Sequence, residues 1–251
     1  MLTKVKTSSE VAAMKESGRM LAQVLHSLKP KVTSGISTKD LADMASKELK
    51  SLGGKPAFLG YQGFPDVLCV SLNDEVVHGI PKRDRIINEG DIVSLDFGVT
   101  YRGMITDSAI SLICGTPHNS DHTMLVKATE ESLMAGIKVI KTGATTGDIG
   151  AAVAKVLDRH HLGIVRDLVG HGVGHFVHED PNIPNFGDPG TGYKLSKHIT
   201  IAVEPMATLG GYHVYIENDG WTVKTEDGSW AAHFEHTLLV TDNGVEILTK
   251  L

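Results

Sequence analysis

Residues 33–49 read TSGISTKDLADMASKEL, and residues 141–157 read KTGATTGDIGAAVAKVL. Laid over one another, the two stretches match at Gly35 and Gly143, Thr38 and Thr146, Asp40 and Asp148, Lys47 and Lys155, and Leu49 and Leu157, five identities in 17 at a constant spacing of 108 residues. At the same spacing Val93-Ser94-Leu95-Asp96 falls on Ile201-Ala202-Val203-Glu204, so an acid closes an apolar strand at the matching place in each half. A spacing of 100 sets Val77-His78-Gly79-Ile80-Pro81 on Val177-His178-Glu179-Asp180-Pro181. Repetition of ordinary cap and strand grammar is one account of these matches. The other is a duplicated α/β unit whose two sheets meet about a pseudo-twofold axis, with its special residues at the seam.

Working outward, each half runs helix, helix, strands. Thr7-Ser8-Ser9-Glu10 has capping-box spacing, and Val11, Met14, Gly18, Leu21, Leu25 and Leu28 follow at helical intervals until Pro30. A second helix starts at Ser37 or Thr38, is expected to bury Leu41, Met44, Ala45, Leu49 and Leu52, and stops at Gly53-Gly54. Residues 67–72, 91–99 and 104–114 are β-branched or alternating and read as strands. Helical periodicity returns after Asn119-Ser120-Asp121 through Lys141, and again from Thr146 to about His161. From Val165 the chain is glycine-rich, with strands expected over 199–203, 221–224, 234–240 and 245–248.

The whole chain of 251 residues reads as one α+β domain with pseudo-repeat halves dividing near residue 118. A formal charge of -6 with no basic tract argues against nucleic acid or an anionic membrane as partner. Only Cys69 and Cys114 occur, which argues against a disulfide framework and for a reducing, cytoplasmic setting. Met1-Leu2-Thr3-Lys4-Val5-Lys6 leads into a polar helix, not an apolar signal segment, and no run of 18 apolar residues appears. What stands out is 13 histidines, gathered around glycines in the second half.

In Ile92-Val93-Ser94-Leu95-Asp96-Phe97-Gly98-Val99, alternation puts Val93, Leu95, Phe97 and Val99 on one face and Ser94, Asp96 and Gly98 on the other. Reflecting the chain about a turn centred between Tyr101 and Arg102 sets Asp107 opposite Asp96. Like charges in that position are destabilising, and a cation removes the conflict. A longer or slipped hairpin would instead leave both acids in water. The second half adds Gly170-His171-Gly172-Val173-Gly174-His175, His178, Glu204-Pro205 and Phe234-Glu235-His236. Four carboxylates with one imidazole form an oxygen-rich donor set for Mn, Fe(II), Co or Zn, unlike a thiolate structural site. Bridging carboxylates can hold two such ions about 3.5 to 4 Å apart, as in several hydrolase classes.

Taken together, Gly60-Tyr61, Gly63-Phe64-Pro65, Asn73, Val77-His78-Gly79-Ile80-Pro81, Asp96 with Asp107, Gly170-His171-Gly172-Val173-Gly174, His178-Glu179-Asp180-Pro181, Glu204-Pro205, Asp219-Gly220-Trp221 and Glu235-His236-Thr237 span nearly the whole chain. In these motifs the sequence resembles the type I methionine aminopeptidases, metallopeptidases of the creatinase-like pita-bread fold, two pseudo-symmetric α/β halves of antiparallel sheet covered by helices. The resemblance implies that Asp96, Asp107, His171, Glu204 and Glu235 hold two divalent metal ions, with Asp107 and Glu235 bridging. It implies that metal-activated water attacks the carbonyl of an N-terminal methionine, that Glu204 accepts its proton, and that His78 and His178 contact the scissile peptide. It also places the methionine side chain among Phe58, Tyr61, Phe64, Cys69 and Trp221. The expected substrates are peptides and nascent polypeptides that begin with methionine followed by a small residue. A transient ribosome contact and a monomeric enzyme are expected with them. Phe58 stands where the family often has Cys, Gln62 where it often has His, and in His175-Phe176-Val177 the aromatic residue is one place earlier than usual.

Two other readings compete. An Xaa-Pro peptidase of the same fold usually carries an additional N-terminal domain, whereas this chain starts at the first helix of the catalytic unit. A non-catalytic binding module on this fold would be marked by missing ligands, and none of the five is missing.

Overall fold

The computed structural model describes residues 4–251; the expected lead-in Met1-Leu2-Thr3 lies outside them. In chain order the first half contains α1 (Ser8–Leu28), α2 (Thr38–Leu52), β1 (Lys55–Pro56), β2 (Cys69–Leu72), β3 (Glu75–Val77), β4 (Ile92–Tyr101) and β5 (Met104–Ile113). The second half contains α3 (Ser120–Lys138), α4 (Thr146–Arg159), β6 (Gly163–Ile164), β7 (Gly170–Gly172), β8 (Glu179–Ile183), β9 (Thr200–Val203), β10 (Met206–Thr208), β11 (Val214–Ile216), β12 (Val223–Thr225), β13 (Ala231–His233), β14 (His236–Val240) and β15 (Val245–Ile247).

The 108-residue spacing recurs in the backbone. Ser37 and Asp40 form the capping box of α2, and Thr145 and Asp148 form that of α4. An isolated bridge ties Ser37 to Ile86, and its counterpart ties Thr145 to Lys194. The N–H of Gly35 donates to Ile87 O as that of Gly143 donates to Leu195 O, and Thr38 to Arg85 O as Thr146 to Tyr193 O. β4 lies between β5 and β2 in one sheet, and β9 lies between β14 and β7 in the other. The α+β arrangement of two like halves is therefore carried by paired hydrogen bonds as well as by element order.

Each half has its own core. Leu21, Val24 and Leu25 of α1 and Leu41, Ala45 and Leu49 of α2 pack on Val93, Leu95, Phe97 and Val99 of β4. Leu133 and Ile137 of α3 and Ile149, Val153 and Leu157 of α4 pack on Ile201, Val203, Leu238 and Val240. The helices thus cover the outer faces, and the alternate face of β4, with Ser94, Asp96 and Gly98, looks inward. Met44 is exposed, contrary to expectation, because it falls off the edge of the α2 face that Leu41, Ala45 and Leu49 define. α3 and α4 each end a little earlier than their periodicity predicts. Among the described residues no helix is long and apolar enough to cross a membrane, and Cys69 and Cys114 are buried and free.

The predicted hairpin register needs correction. Tyr101 pairs with Met104, so the turn is Arg102-Gly103, both at positive φ (48° and 79°), the two-residue geometry that matches strand twist. Asp96 consequently faces Ala109, and Asp107 faces Gly98. The shift is two residues, an even number, so both acids stay on the inner face as diagonal neighbours.

The two sheets meet at β5. Glu235 N–H donates to Ala109 O at 2.9 Å, Asp107 N–H donates to Thr237 Oγ1 at 2.8 Å, and Ser108 Oγ donates to Glu235 O at 2.6 Å. This seam draws acids from distant parts of the chain into one place.

Candidate metal centre

Asp96 sits within β4, Asp107 within β5 and His171 within β7; Glu204 directly follows β9 and Glu235 directly precedes β14. Asp107, His171 and Glu235 each offer a donor atom within 4.8 Å of the others, all three buried. Asp96 and Glu204 stand outside that triad but against it: Asp96 is the diagonal neighbour of Asp107, and Glu204 Oε1 is 3.3 Å from His171 Nε2.

Burial alone sets a difficult electrostatic problem here. It raises the pKa of Asp96 well above the usual carboxylate range, with the Asp107 charge adding to it. Burial pushes Asp107 up to about 7, against the Ser108 backbone and Asp96 hydrogen bonds that favour its charge. Glu204 and Glu235 are raised by burial first and then by neighbouring carboxylates. Asp96 Oδ1, Asp107 Oδ1 and Glu235 Oε1 are buried with no hydrogen-bond partner. Unpaired buried oxygens of acids crowded at a seam fit divalent cations, which satisfy the lone pairs and cancel the repulsion together. His171 fits as well. Its Nδ1–H donates to Gly172 O at 2.9 Å, so the neutral ring keeps its Nε2 lone pair free. Burial first, and then the His178 charge, lowers its pKa to about 3, so the ring is neutral near pH 7.

All twelve residues singled out from the sequence line one cavity of about 200 Å³. Phe58, Phe64, Cys69 and Val177 form its apolar wall, with Trp221 edge-on to Phe64 at 5.2 Å between ring centres. Burial, then the charge of Asp96, raises the Cys69 thiol, which is therefore a neutral wall group rather than a nucleophile. Phe58 lies on Gly98, where a β-carbon would stand 2.5 Å from its ring. Of the unusual positions, Gln62 and Val177 line the cavity, while Phe176 is half exposed.

On the opposite wall the His178 ring lies 4.4 Å from that of His171, and its Nδ1 shares a 2.8 Å hydrogen bond with the Tyr61 hydroxyl. If the hydroxyl donates, Nε2 carries the proton and can donate into the cavity. His78 stands edge-on to Trp221 in a left-handed backbone conformation, φ 60°. Burial lowers its pKa to about 4, and it lowers that of His178 too. Both rings are thus neutral hydrogen-bonding groups near pH 7.

Sequence reasoning passed over two residues beside Glu204. Asn185 Nδ2 donates to Glu204 O at 3.0 Å, and His233 Nε2 lies 3.8 Å from Glu204 Oε2. His233 was within reach of the alternation rule, since it stands two residues before Glu235. Asn185 lies in a loop and had no periodic signal.

A model of metallopeptidase family M24 matches residues 12–242. Methionine aminopeptidase of Mycoplasma capricolum is 40% identical over 246 residues, 98% of both chains. Methionine aminopeptidase 1 of Bacillus subtilis is 41% identical over 246 residues with the same coverage. The crystal structure of methionine aminopeptidase from Thermotoga maritima superposes with a TM-score of 0.98, at 43% identity and full coverage of both chains. Prolidase from Pyrococcus furiosus superposes with a TM-score of 0.79 over 98% of this chain and 65% of its own. At 21% identity that likeness speaks for the pita-bread fold alone.

Proposed function

This chain belongs to metallopeptidase family M24, and from that premise we propose that the buried carboxylate–imidazole cluster is its catalytic centre. The protein is a metal-dependent aminopeptidase that removes the N-terminal methionine from peptides and proteins. The observation that carries the reading is a cation-demanding cluster at one side of a cavity of about 200 Å³ whose other side is an apolar wall of Phe58, Phe64, Cys69 and Val177. The Xaa-Pro and binding-module readings are not favoured.

We assign Asp96, Asp107, His171, Glu204 and Glu235 as the residues that would hold two divalent cations, with Mn, Fe(II), Co and Zn suited to the donors. When bound, the ions supply Lewis acidity to the methionine carbonyl and lower the pKa of water. The chain's own groups do the rest. Phe58, Phe64, Cys69 and Trp221 enclose the thioether side chain and exclude water from it. Glu204 accepts the proton of the attacking water. His178, with Tyr61 donating to its Nδ1, presents Nε2–H to the carbonyl oxygen as charge grows there. His78 contacts the amide nitrogen of the following residue, and its proximity favours a small second residue. Nascent polypeptides met in the cytoplasm, with transient ribosome contact by a monomeric enzyme, belong to the same proposal.

The test is hydrolysis by metal-stripped protein resupplied with Mn, Fe(II) or Co, comparing Met-Ala-Ser, Leu-Ala-Ser and Ala-Pro-Ser. Metal-dependent release of methionine alone is expected. Cleavage before proline, or none despite measured metal binding, would overturn the reading.

A further inference from the structure

Glu204 lies between two imidazoles. His171 Nε2 is 3.3 Å from Oε1, and His233 Nε2 is 3.8 Å from Oε2. The first contact belongs to the centre already described. The second involves a residue with no assigned task. His233 is 1% exposed, and neither of its ring nitrogens has a hydrogen-bond partner. A buried imidazole left in this state forfeits its hydration for nothing within the fold, so it calls for a purpose.

Its position is fixed from both sides. The His233 N–H donates to Ser111 Oγ at 2.8 Å, and its C=O accepts from the same hydroxyl at 2.8 Å. Ser111 is held in turn by Ser94 at 2.7 Å, and β13 pairs His233 with Met206 of β10. The backbone that carries the ring is therefore fixed at the seam between the halves. Asn185 holds Glu204 through its main chain, at 3.0 Å to Glu204 O, and among the described residues no hydrogen bond fixes its carboxylate Oε2. A small swing of that carboxylate converts the 3.8 Å separation into a hydrogen bond.

We propose that His233 is a positioning residue for Glu204, its Nε2–H directed at Oε2 so that Oε1 stays turned toward His171 and the reacting water. The inference rests on Glu204 being the proton acceptor. A carboxylate with one oxygen tethered presents the other in a single orientation, which is what proton transfer in the transition state requires.

The experiment measures kcat and KM for Met-Ala-Ser with the Mn-loaded full chain and its His233→Leu, His233→Gln, Glu204→Gln and His233→Leu/Glu204→Gln variants. Mn affinity of each stripped variant is measured by calorimetry. The loss of an outer hydrogen bond to such a centre lowers activity roughly 10- to 100-fold, and here the loss is expected in kcat, with KM and Mn affinity little changed. His233→Gln, which keeps an N–H donor, is expected to recover most of that loss. In the Glu204→Gln background, His233→Leu should cost nothing further. Should the leucine variant not fold, His233→Ser is read in its place. Unchanged kcat in the leucine variant would overturn the proposal. So would weakened Mn binding that excess Mn reverses, which would make His233 a ligand, or an undiminished loss in the Glu204→Gln background. Full turnover by Glu204→Gln with His233 intact would instead refute the proton-acceptor assignment, so the two failures are distinguishable.

Discussion

Replacing Lys6 by methionine probes how the turn that leads to His178 is held. Lys6 is 2% exposed yet charged. Its Nζ donates to Glu179 Oε2 at 2.6 Å and to Lys4 O at 3.0 Å. The other oxygen of Glu179 accepts from the backbone N–H of His175 at 2.6 Å and of Phe176 at 3.2 Å, which closes the turn just ahead of His178. Lys6→Met keeps the length of the side chain but strands the Glu179 charge in the interior. Breaking a buried pair from one side costs about 3–5 kcal/mol. At 2–4 °C per kcal/mol for a chain of this size, the melting temperature should fall by roughly 6–20 °C. Glu179→Gln added to Lys6→Met removes the stranded charge while its amide oxygen still accepts from His175 and Phe176, so the double variant should regain most of the loss. The assay is thermal unfolding by circular dichroism at pH 7, with turnover measured at 25 °C on each folded variant. A Lys6→Met protein that melts within about 2 °C of the parent would refute the reasoning. So would a double variant no more stable than the single one, since the stranded charge would then not be the cause.

Other consequences are open to simpler tests. Asp107→Asn should weaken Mn binding and abolish most turnover while leaving the circular dichroism spectrum intact; full metal occupancy with normal rates would contradict the ligand assignment. In metal-stripped protein the carboxylate pKa values are raised above their unfolded values, so the folded state holds extra protons at intermediate pH. The carboxylates' contribution to stability is fully present below about pH 4 and declines as pH rises through about 7, the value for Asp107, while the buried neutral histidines His78, His171 and His233 contribute in the opposite sense as pH falls. In stripped protein the change in urea midpoint between pH 5 and pH 7.5 should therefore be less unfavourable for Asp107→Asn, which lacks the titrating carboxyl while keeping the histidines, than for the parent, and identical changes in the two would contradict it. Gly98→Ala places a methyl 2.5 Å from the Phe58 ring and should push it into the cavity. A raised KM for Met-Ala-Ser with unchanged Mn affinity is the expected readout, and an unchanged KM would show that the ring is not part of the pocket wall.

Much was legible without coordinates because it is local in sequence. The boxes at Thr7, Ser37 and Thr145 satisfy helix N–H groups within three residues, so their signal survives in the one-dimensional chain. The inward face of β4 follows from strand alternation alone. The hairpin register was harder. Whether the turn centred before or after Arg102 depends on two backbone angles that composition hardly constrains, and only parity protected the conclusion that Asp96 and Asp107 share a face.

The sequence by itself pointed to a duplicated α/β unit, set Asp96 and Glu204 at matching places in its halves, and supplied the residue types a divalent cation requires; that β4 runs on past Asp96 to Tyr101, so that this acid lies within its strand and not at its end, came only from the structure. Only the tertiary structure decided that the cavity's apolar wall and the acids face each other, that Lys6 pins the turn before His178, and that His233 stands over Glu204. These depend on the seam where β5 meets the segment from His233 to Thr237, and hydrogen bonds across it join residues more than 120 positions apart. No periodicity links such residues. Their meeting is set by how two separately packed cores dock, and burial at that docking plane makes four carboxylates demand a cation.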